Sequence, residues 1–144
     1  MKIPFIMANQ NSKYNILIVD DEHDVHVVLG KMLQKSGYLV QSAYNAEDAL
    51  NKIKETKPDL IMLDIMMPKI SGIELCNNIK NDPSTKNIIV VIISAKDEQS
   101  DRIDGLTHGA DDYISKPFHL RSLVRKIDRI LQKRDEDQVT NLTE

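Results

Sequence analysis

The stretch Leu60-Ile61-Met62-Leu63-Asp64-Ile65-Met66-Met67-Pro68 decides the fold. Its first four residues are all apolar, which is typical of a strand buried on both faces in a parallel sheet covered by helices. The run ends on a lone aspartate, and a loop closed by Pro68 and Gly72 follows. Ligands of open α/β sheets bind beyond the carboxyl ends of the strands. An acid held there in apolar surroundings is costly unless it is paired, so Asp64 is the first candidate for chemistry.

The whole chain repeats the pattern of a strand followed by a helix five times. The predicted strands cover residues 16–19, 38–43, 60–63, 88–93 and 112–115. Such alternation predicts an α/β fold with a parallel sheet, right-handed crossovers and helices on both faces. The second and fifth strands are the least apolar and are placed at the edges. The predicted strand order is therefore 2-1-3-4-5, the flavodoxin-like doubly wound arrangement.

The sequence also predicts how individual helices begin, end and pack. Gly37 is expected to end the first helix in a left-handed turn, and Asn45 to cap the second. Helical spacing also predicts which residues face inward. These include Val25, Val28, Leu29 and Met32 on the first helix, Gly72, Leu75, Cys76 and Ile79 on the third, and Ile103 and Leu106 on a weak fourth helix.

Length and composition indicate one globular domain. We assign residues 1–13 to an N-terminal tail, 14–133 to the domain and 134–144 to a polar tail too short for an effector domain. The net charge of −3 gives no field that would attract nucleic acid. The single Cys76 cannot form an internal disulfide, and no apolar run approaches the roughly 18 residues of a membrane helix. A cytoplasmic protein is expected.

Polar residues converge where the predicted strands end. Asp20 and Asp21 end the first strand, Asp64 the third and Ser94 the fourth, while Lys116 follows the fifth. Because strands 1, 3 and 4 are neighbours, three carboxylates share one crevice, and like charges that close cannot all stay ionised unaided. Mg²⁺ suits a site that offers carboxylates, a backbone carbonyl and waters.

Each residue also has a plainer interpretation. Asp20 or Asp21 alone has about even odds of being only a helix N-cap, and a strand-end Ser or a lone Lys usually has no special role. The four histidines, His23, His26, His108 and His119, show no ligand spacing and are expected at the surface. The convergence of five groups on one edge of the sheet favours a functional site.

With these residues the chain resembles the receiver domain of two-component response regulators. The likeness covers roughly residues 14–133 and rests on five motifs in the expected order and spacing. They are Asp20-Asp21, the loop from Asp64 to Pro68 with Gly72, Ser94-Ala95, the run from Gly109 to Tyr113, and Lys116-Pro117-Phe118. Ser94 stands where Thr is the commoner hydroxyl.

The resemblance implies a role for each site residue. Asp64 is the phosphoacceptor for a phosphohistidine of a sensor histidine kinase or a phosphotransfer protein. Asp20 or Asp21, with Asp64 and the Met66 backbone carbonyl, holds Mg²⁺. Lys116 and the Ser94 hydroxyl contact phosphoryl oxygens, and Tyr113 turns inward as a switch when Ser94 moves. The Lys116-Pro117 bond is expected to be cis.

The resemblance also implies an output surface formed by the fourth helix, the fifth strand and the last helix, which would bind a downstream effector or a second copy of the chain. In a two-fold dimer, the basic residues of one copy would face the acidic residues of the other: Arg121, Arg125, Lys126 and Arg129 against Asp101, Asp104, Asp111 and Asp112. Two solvated faces are the plainer interpretation, at about even odds.

Three function classes compete. The leading one is a phosphorylation-controlled switch that is not an enzyme beyond its own phosphotransfer and autodephosphorylation. The second is a phosphatase or phosphotransferase with an Asp nucleophile, but Met66 stands where such enzymes need a second carboxylate. The third is a phosphorylation-independent binding module, against which the intact acid set argues. The chain would act through partner surfaces, relay phosphate onward, or be part of a longer protein.

Overall fold

The computed structural model describes residues 14–67, 71–95, 106 and 109–143. Within these residues lie five strands and four helices: β1 (Asn15–Val19), α1 (His23–Lys35), β2 (Leu39–Ala43), α2 (Ala46–Glu55), β3 (Leu60–Asp64), α3 (Gly72–Asn81), β4 (Ile89–Ser94), β5 (Asp112–Ser115) and α4 (Leu120–Thr143). All strand pairs are parallel, and the order is β2-β1-β3-β4-β5. The predicted fold class and strand order are confirmed.

The sheet is covered on both faces, as its apolar strands require. β3 and β4 are buried at every position, whereas β2 at one edge exposes Leu39. One core cluster packs α2 and α3 against the sheet, and the other packs α1 and α4 against the opposite face. This two-sided burial is why the central strands contain almost no polar residues before their last position.

Several local predictions are confirmed. Gly37 has a φ of 97° after α1. The Asn45 side chain accepts the N–H of Asp48 at 2.7 Å at the start of α2. The predicted inward face of α3, from Gly72 to Ile79, is buried.

The predicted inward face of α1 is confirmed except at Val28: Leu29 is buried, and Val25 and Met32 pack against the core. The buried residues are His26, Leu29, Gly30 and Leu33, whereas Val28 is 51% exposed. The expected surface position of His26 is therefore wrong. Its side chain is buried, because both ring nitrogens have hydrogen-bond partners inside the fold. Both sets follow the i, i+3, i+4, i+7 spacing, and the apolar set was the natural choice.

The weak fourth helix and the C-terminal segment were also predicted from the sequence. Most of that helix lies outside the described residues, including Ile103, Asp101, Asp104 and His108. Leu106 is 41% exposed, so its predicted inward position is wrong. The last helix runs to Thr143 and so includes most of the segment assigned to the polar tail, and Arg134 Nη2 lies 3.2 Å from Asp59 Oδ1.

Candidate active site

Three acids meet at the carboxyl edge of the sheet because β1 and β3 are adjacent and parallel. Asp20 follows β1 directly, and Asp64 is the last residue of β3. Asp20, Asp21 and Asp64 each offer a carboxylate oxygen, and these oxygens lie within 4.8 Å of one another. Asp20 and Asp64 are only 3% and 4% exposed, whereas Asp21 is exposed. This oxygen-only donor set could hold a hard divalent cation.

Lys116 brings a positive charge to these acids. Its backbone N–H donates to the Ser94 carbonyl at 2.8 Å, which fixes the chain beyond β5 beside the end of β4. Its Nζ donates to Asp20 Oδ2 at 3.0 Å and lies 3.6 Å from Asp64 Oδ2. The Lys116-Pro117 peptide bond is cis, as predicted.

The loop after β3 approaches Asp64 very closely. The Met66 N–H donates to Asp64 Oδ1 at 2.9 Å, while the Met66 side chain is 51% exposed. Gly72 begins α3 against the backbone of Asp64, where an added Cβ would lie 2.5 Å from the Asp64 carbonyl oxygen. Ser71 caps α3 by accepting the N–H of Glu74 at 3.2 Å. Only glycine fits at position 72 without a backbone shift.

The surroundings of Asp64 disfavour the charged form of its carboxyl group. Burial raises its pKa above the usual carboxyl range, and the charges of Asp20 and Asp21 add to this increase. The Met66 N–H and the charge of Lys116 oppose it without cancelling it. Burial alone would lower the pKa of Lys116, but its hydrogen bond to Asp20 and the charges of Asp64 and Asp20 outweigh burial and raise it. The metal-free site therefore carries an uncompensated excess of negative charge.

The remaining predicted site residues lie nearby on the same edge or next to it. Ser94 is fully buried at the last position of β4, one step beyond Ile93, which pairs with Asp64. Tyr113 in β5 pairs with Ile92, and its side chain is 6% exposed within the core. In this structure the Tyr113 ring is thus already buried.

Asp20 is not the N-cap of α1, which was its plainer interpretation. The helix α1 has Glu22 at its N-cap, without a side-chain capping bond. Asp20 Oδ1 accepts the N–H of Glu22 at 2.9 Å, and its other oxygen accepts from Lys116. One carboxylate therefore shapes the turn and contributes to the acidic cluster.

Sequence analysis missed His26 as part of this neighbourhood. Its Nε2 lies 2.7 Å from the Asp20 carbonyl oxygen, and its Nδ1 lies 2.9 Å from Ser42 Oγ. The available signal was the alternative helical face that runs from His26 to Leu33.

Comparison with known proteins agrees with this arrangement. The sequence profile of the response regulator receiver domain matches residues 16–128. The chain belongs to the response regulator receiver domain family. Receiver domains are components of two-component signalling systems. In the part of the chain that the structure describes, no helix is long and apolar enough to cross a membrane.

Individual relatives show the same likeness. The phosphate regulon transcriptional regulatory protein PhoB of Pseudomonas aeruginosa is 43% identical over 118 residues, which cover 82% of this chain and 52% of that protein. The alkaline phosphatase synthesis transcriptional regulatory protein PhoP of Bacillus subtilis is 42% identical over 118 residues, 82% of this chain and 48% of that protein. A two-component response regulator from Clostridium difficile has a TM-score of 0.80 and 33% identity, covering 85% of this chain and 98% of that one. The chain spans about half the length of the curated relatives it matches.

Proposed function

We propose that this receiver domain takes a phosphoryl group onto Asp64 from a phosphohistidine of a sensor kinase or a phosphotransfer protein. The convergence of three carboxylates and Lys116 around the buried end of β3 carries the proposal. The Asp64 oxygen would form a bond to phosphorus while the bond from phosphorus to the histidine nitrogen breaks, and the imidazole would leave with that electron pair. The product is an aspartyl phosphate.

Asp20, Asp21 and Asp64, with the Met66 backbone carbonyl, are the residues that would hold Mg²⁺. When bound, the ion supplies positive charge that neutralises the phosphoryl oxygens during transfer. Lys116 would exchange its contact with Asp20 for a phosphoryl oxygen, and the Ser94 hydroxyl would donate to another. The excess negative charge of the metal-free acids supports this assignment, because the same excess favours binding of a cation.

The surface beside Lys116 supports a protein as phosphodonor. An apolar groove of about 420 Å³ lies between α1 and the segment after β5. Val25, Val28, Leu29 and Phe118 contribute to its lining, and half of the Val28 side chain is exposed. Exposed apolar surface at the mouth of a site is typical of a protein-binding face.

We further propose that phosphorylation changes the surface that includes β5 and α4; the fourth predicted helix, the third part of the expected output surface, lies mostly outside the described residues. Tyr113 would be the switch, and since its ring is buried here, the switch requires an outward position in part of the unphosphorylated population. On this surface Arg121, Arg125 and Arg129 are exposed. Lys126 already pairs with Asp112 of the same chain at 3.3 Å, and Asp111 with Lys80 at 2.8 Å.

Because these ion pairs form within one chain, fewer charged side chains are left to pair across a dimer. The partner of this surface is therefore either a downstream effector or a second copy of the chain. Light scattering at low salt, with and without a phosphoryl analogue, distinguishes them. Dimerisation that appears with the analogue and is lost in Arg125→Glu supports the second copy. A monomer in both states assigns the surface to a different partner.

We propose that residues 14–133 form the receiver unit and that residues 134–144 form a segment that follows it. The contact of Arg134 with Asp59 and its position 5.7 Å over the Tyr14 ring support a close association of that segment with the domain.

Labelling with a small acyl-phosphate donor tests the proposed function. Wild type should take up phosphate with Mg²⁺ and lose most of this uptake with a chelator, and Asp64→Asn should take up none. Asp59→Asn, which alters an acid at the opposite end of β3, is the matched control and should be labelled normally. Equal labelling of Asp64→Asn and wild type would exclude Asp64 as the acceptor.

A further inference from the structure

His26 is a buried histidine whose two ring nitrogens both have partners. The side chain is 6% exposed, with Nε2 at 2.7 Å from the Asp20 carbonyl oxygen and Nδ1 at 2.9 Å from Ser42 Oγ. A carbonyl oxygen can only accept, so Nε2 must carry the proton. In the neutral ring Nδ1 then accepts the Ser42 hydroxyl proton. The histidine thus connects α1 to the turn after β1 and to the edge strand β2.

The position of Asp20 depends on four partners from different parts of the fold. Its N–H donates to the Ala43 carbonyl at 3.1 Å, Oδ1 accepts from Glu22, and Oδ2 accepts from Lys116. His26 supplies the fourth contact, to the carbonyl oxygen. This carbonyl belongs to the peptide that joins Asp20 to Asp21, so the contact bears on the orientation of both acids.

Packing alone does not account for a histidine here. The Tyr44 ring lies 4.3 Å from the His26 ring, centroid to centroid, and covers it. An apolar ring would fill the same space under Tyr44. It would leave the buried Asp20 carbonyl and the Ser42 hydroxyl without the partners they have now.

We infer that His26 is a positioning residue for the acidic pair: its Nε2–H holds the Asp20–Asp21 peptide so that both carboxylates face Asp64. The inference rests on the proposed metal-dependent phosphotransfer at Asp64. Residues that orient metal ligands typically change metal affinity about 10–100-fold when they are lost. Loss of the Nε2 contact should therefore weaken metal binding and leave the chemistry at saturating metal nearly unchanged.

Two amide variants separate the two ring contacts. In His26→Gln the side-chain nitrogen replaces Nε2, whereas in His26→Asn it can replace only Nδ1. The half-saturating Mg²⁺ concentration for acyl-phosphate labelling should rise about tenfold in His26→Asn and less than about threefold in His26→Gln. The labelling rate at saturating Mg²⁺ should stay within about threefold of wild type in both. His23→Gln, an exposed position on the same helix, should match wild type.

Direct binding of Mn²⁺, followed by electron paramagnetic resonance, repeats the comparison without any phosphotransfer. Failure of wild type to take up label would overturn the proposed function, but the difference in Mn²⁺ affinity between His26→Gln and His26→Asn would still test the role of His26. Equal Mn²⁺ affinities of these two variants, with wild type labelled normally, would overturn the inference and leave the proposed function unaffected. If His26→Asn does not fold, Ser42→Ala takes its place, since it removes the contact that orients the ring. Metal affinity unchanged in Ser42→Ala would then overturn the inference.

Discussion

Replacing Asp64 by asparagine should stabilise the metal-free protein although it removes the proposed phosphoacceptor. The Asp64 carboxylate lies within 4.8 Å of the oxygens that Asp20 and Asp21 contribute. At an effective dielectric constant of about 20, each repulsion is about 3.5 kcal/mol at that distance. The attraction from Lys116 at 3.6 Å is about 4.6 kcal/mol on the same scale. Two repulsions and the burial of Asp64 therefore outweigh one attraction.

The expected gain in the free energy of unfolding is about 1–2 kcal/mol, because solvent screens the exposed Asp21. For a domain of this size the melting midpoint should rise by about 3–8 °C. The assay is thermal unfolding in a chelator at neutral pH. Lys116→Met removes the attraction instead and should lower the midpoint, while Asp24→Asn, at an exposed acid on α1, should change it little.

The pH dependence of the gain follows from the raised pKa of Asp64. Between the ordinary carboxyl pKa and this raised value, the folded state binds more protons than the unfolded state. Stability of the wild type therefore falls as the pH rises through this interval and is recovered as the pH falls. The advantage of Asp64→Asn should shrink on acidification. A midpoint of Asp64→Asn at or below that of wild type at neutral pH would refute the net repulsion.

Three other expected outcomes follow from single residues. Gly72→Ala should lose about 1–3 kcal/mol of stability, because its Cβ would lie 2.5 Å from the Asp64 carbonyl oxygen; unfolding in urea measures this, and an unchanged midpoint contradicts the close approach. Cys76 is fully buried and its pKa is raised to about 11, so a thiol reagent at pH 8 should modify it only after unfolding; modification of the native protein at the unfolded rate would count against this. Met66→Glu should shorten the lifetime of the phosphorylated form, since a carboxylate there can orient water and the thioether cannot; decay no faster than wild type would exclude this role.

The sheet was predictable from the sequence because its central strands are buried on both faces. The apolar runs ending at Val19, Asp64 and Ser94 favour a covered parallel sheet, and the more polar strands are then expected at its edges, where they lie. The meeting of Asp20 with Asp64 follows from the same topology. The cis bond before Pro117, by contrast, was predicted by family resemblance.

The errors occurred where two patterns compete at the surface of the fold. In α1, the helical faces beginning at Val25 and at His26 overlap, and hydrophobicity placed Val28 inward and His26 at the surface, which is wrong for both residues. Burying a histidine costs little free energy when both ring nitrogens are hydrogen-bonded. The partners of His26 are Ser42 and the Asp20 carbonyl, and their closeness to His26 cannot be read from the sequence. The polar segment that begins at Arg134 continues α4 as far as Thr143, and Arg134 itself contacts Asp59 and the Tyr14 ring.

The central claim is that Asp64 receives the phosphoryl group, and reduction of the phosphorylated protein with borohydride tests it most directly. An aspartyl phosphate is reduced to homoserine, so peptide mapping by mass spectrometry identifies the modified position. Homoserine at position 64, formed only after labelling with Mg²⁺ present, is the predicted result. Homoserine at position 20 or 21, or phosphate that remains on Ser94 or a histidine, would contradict the account.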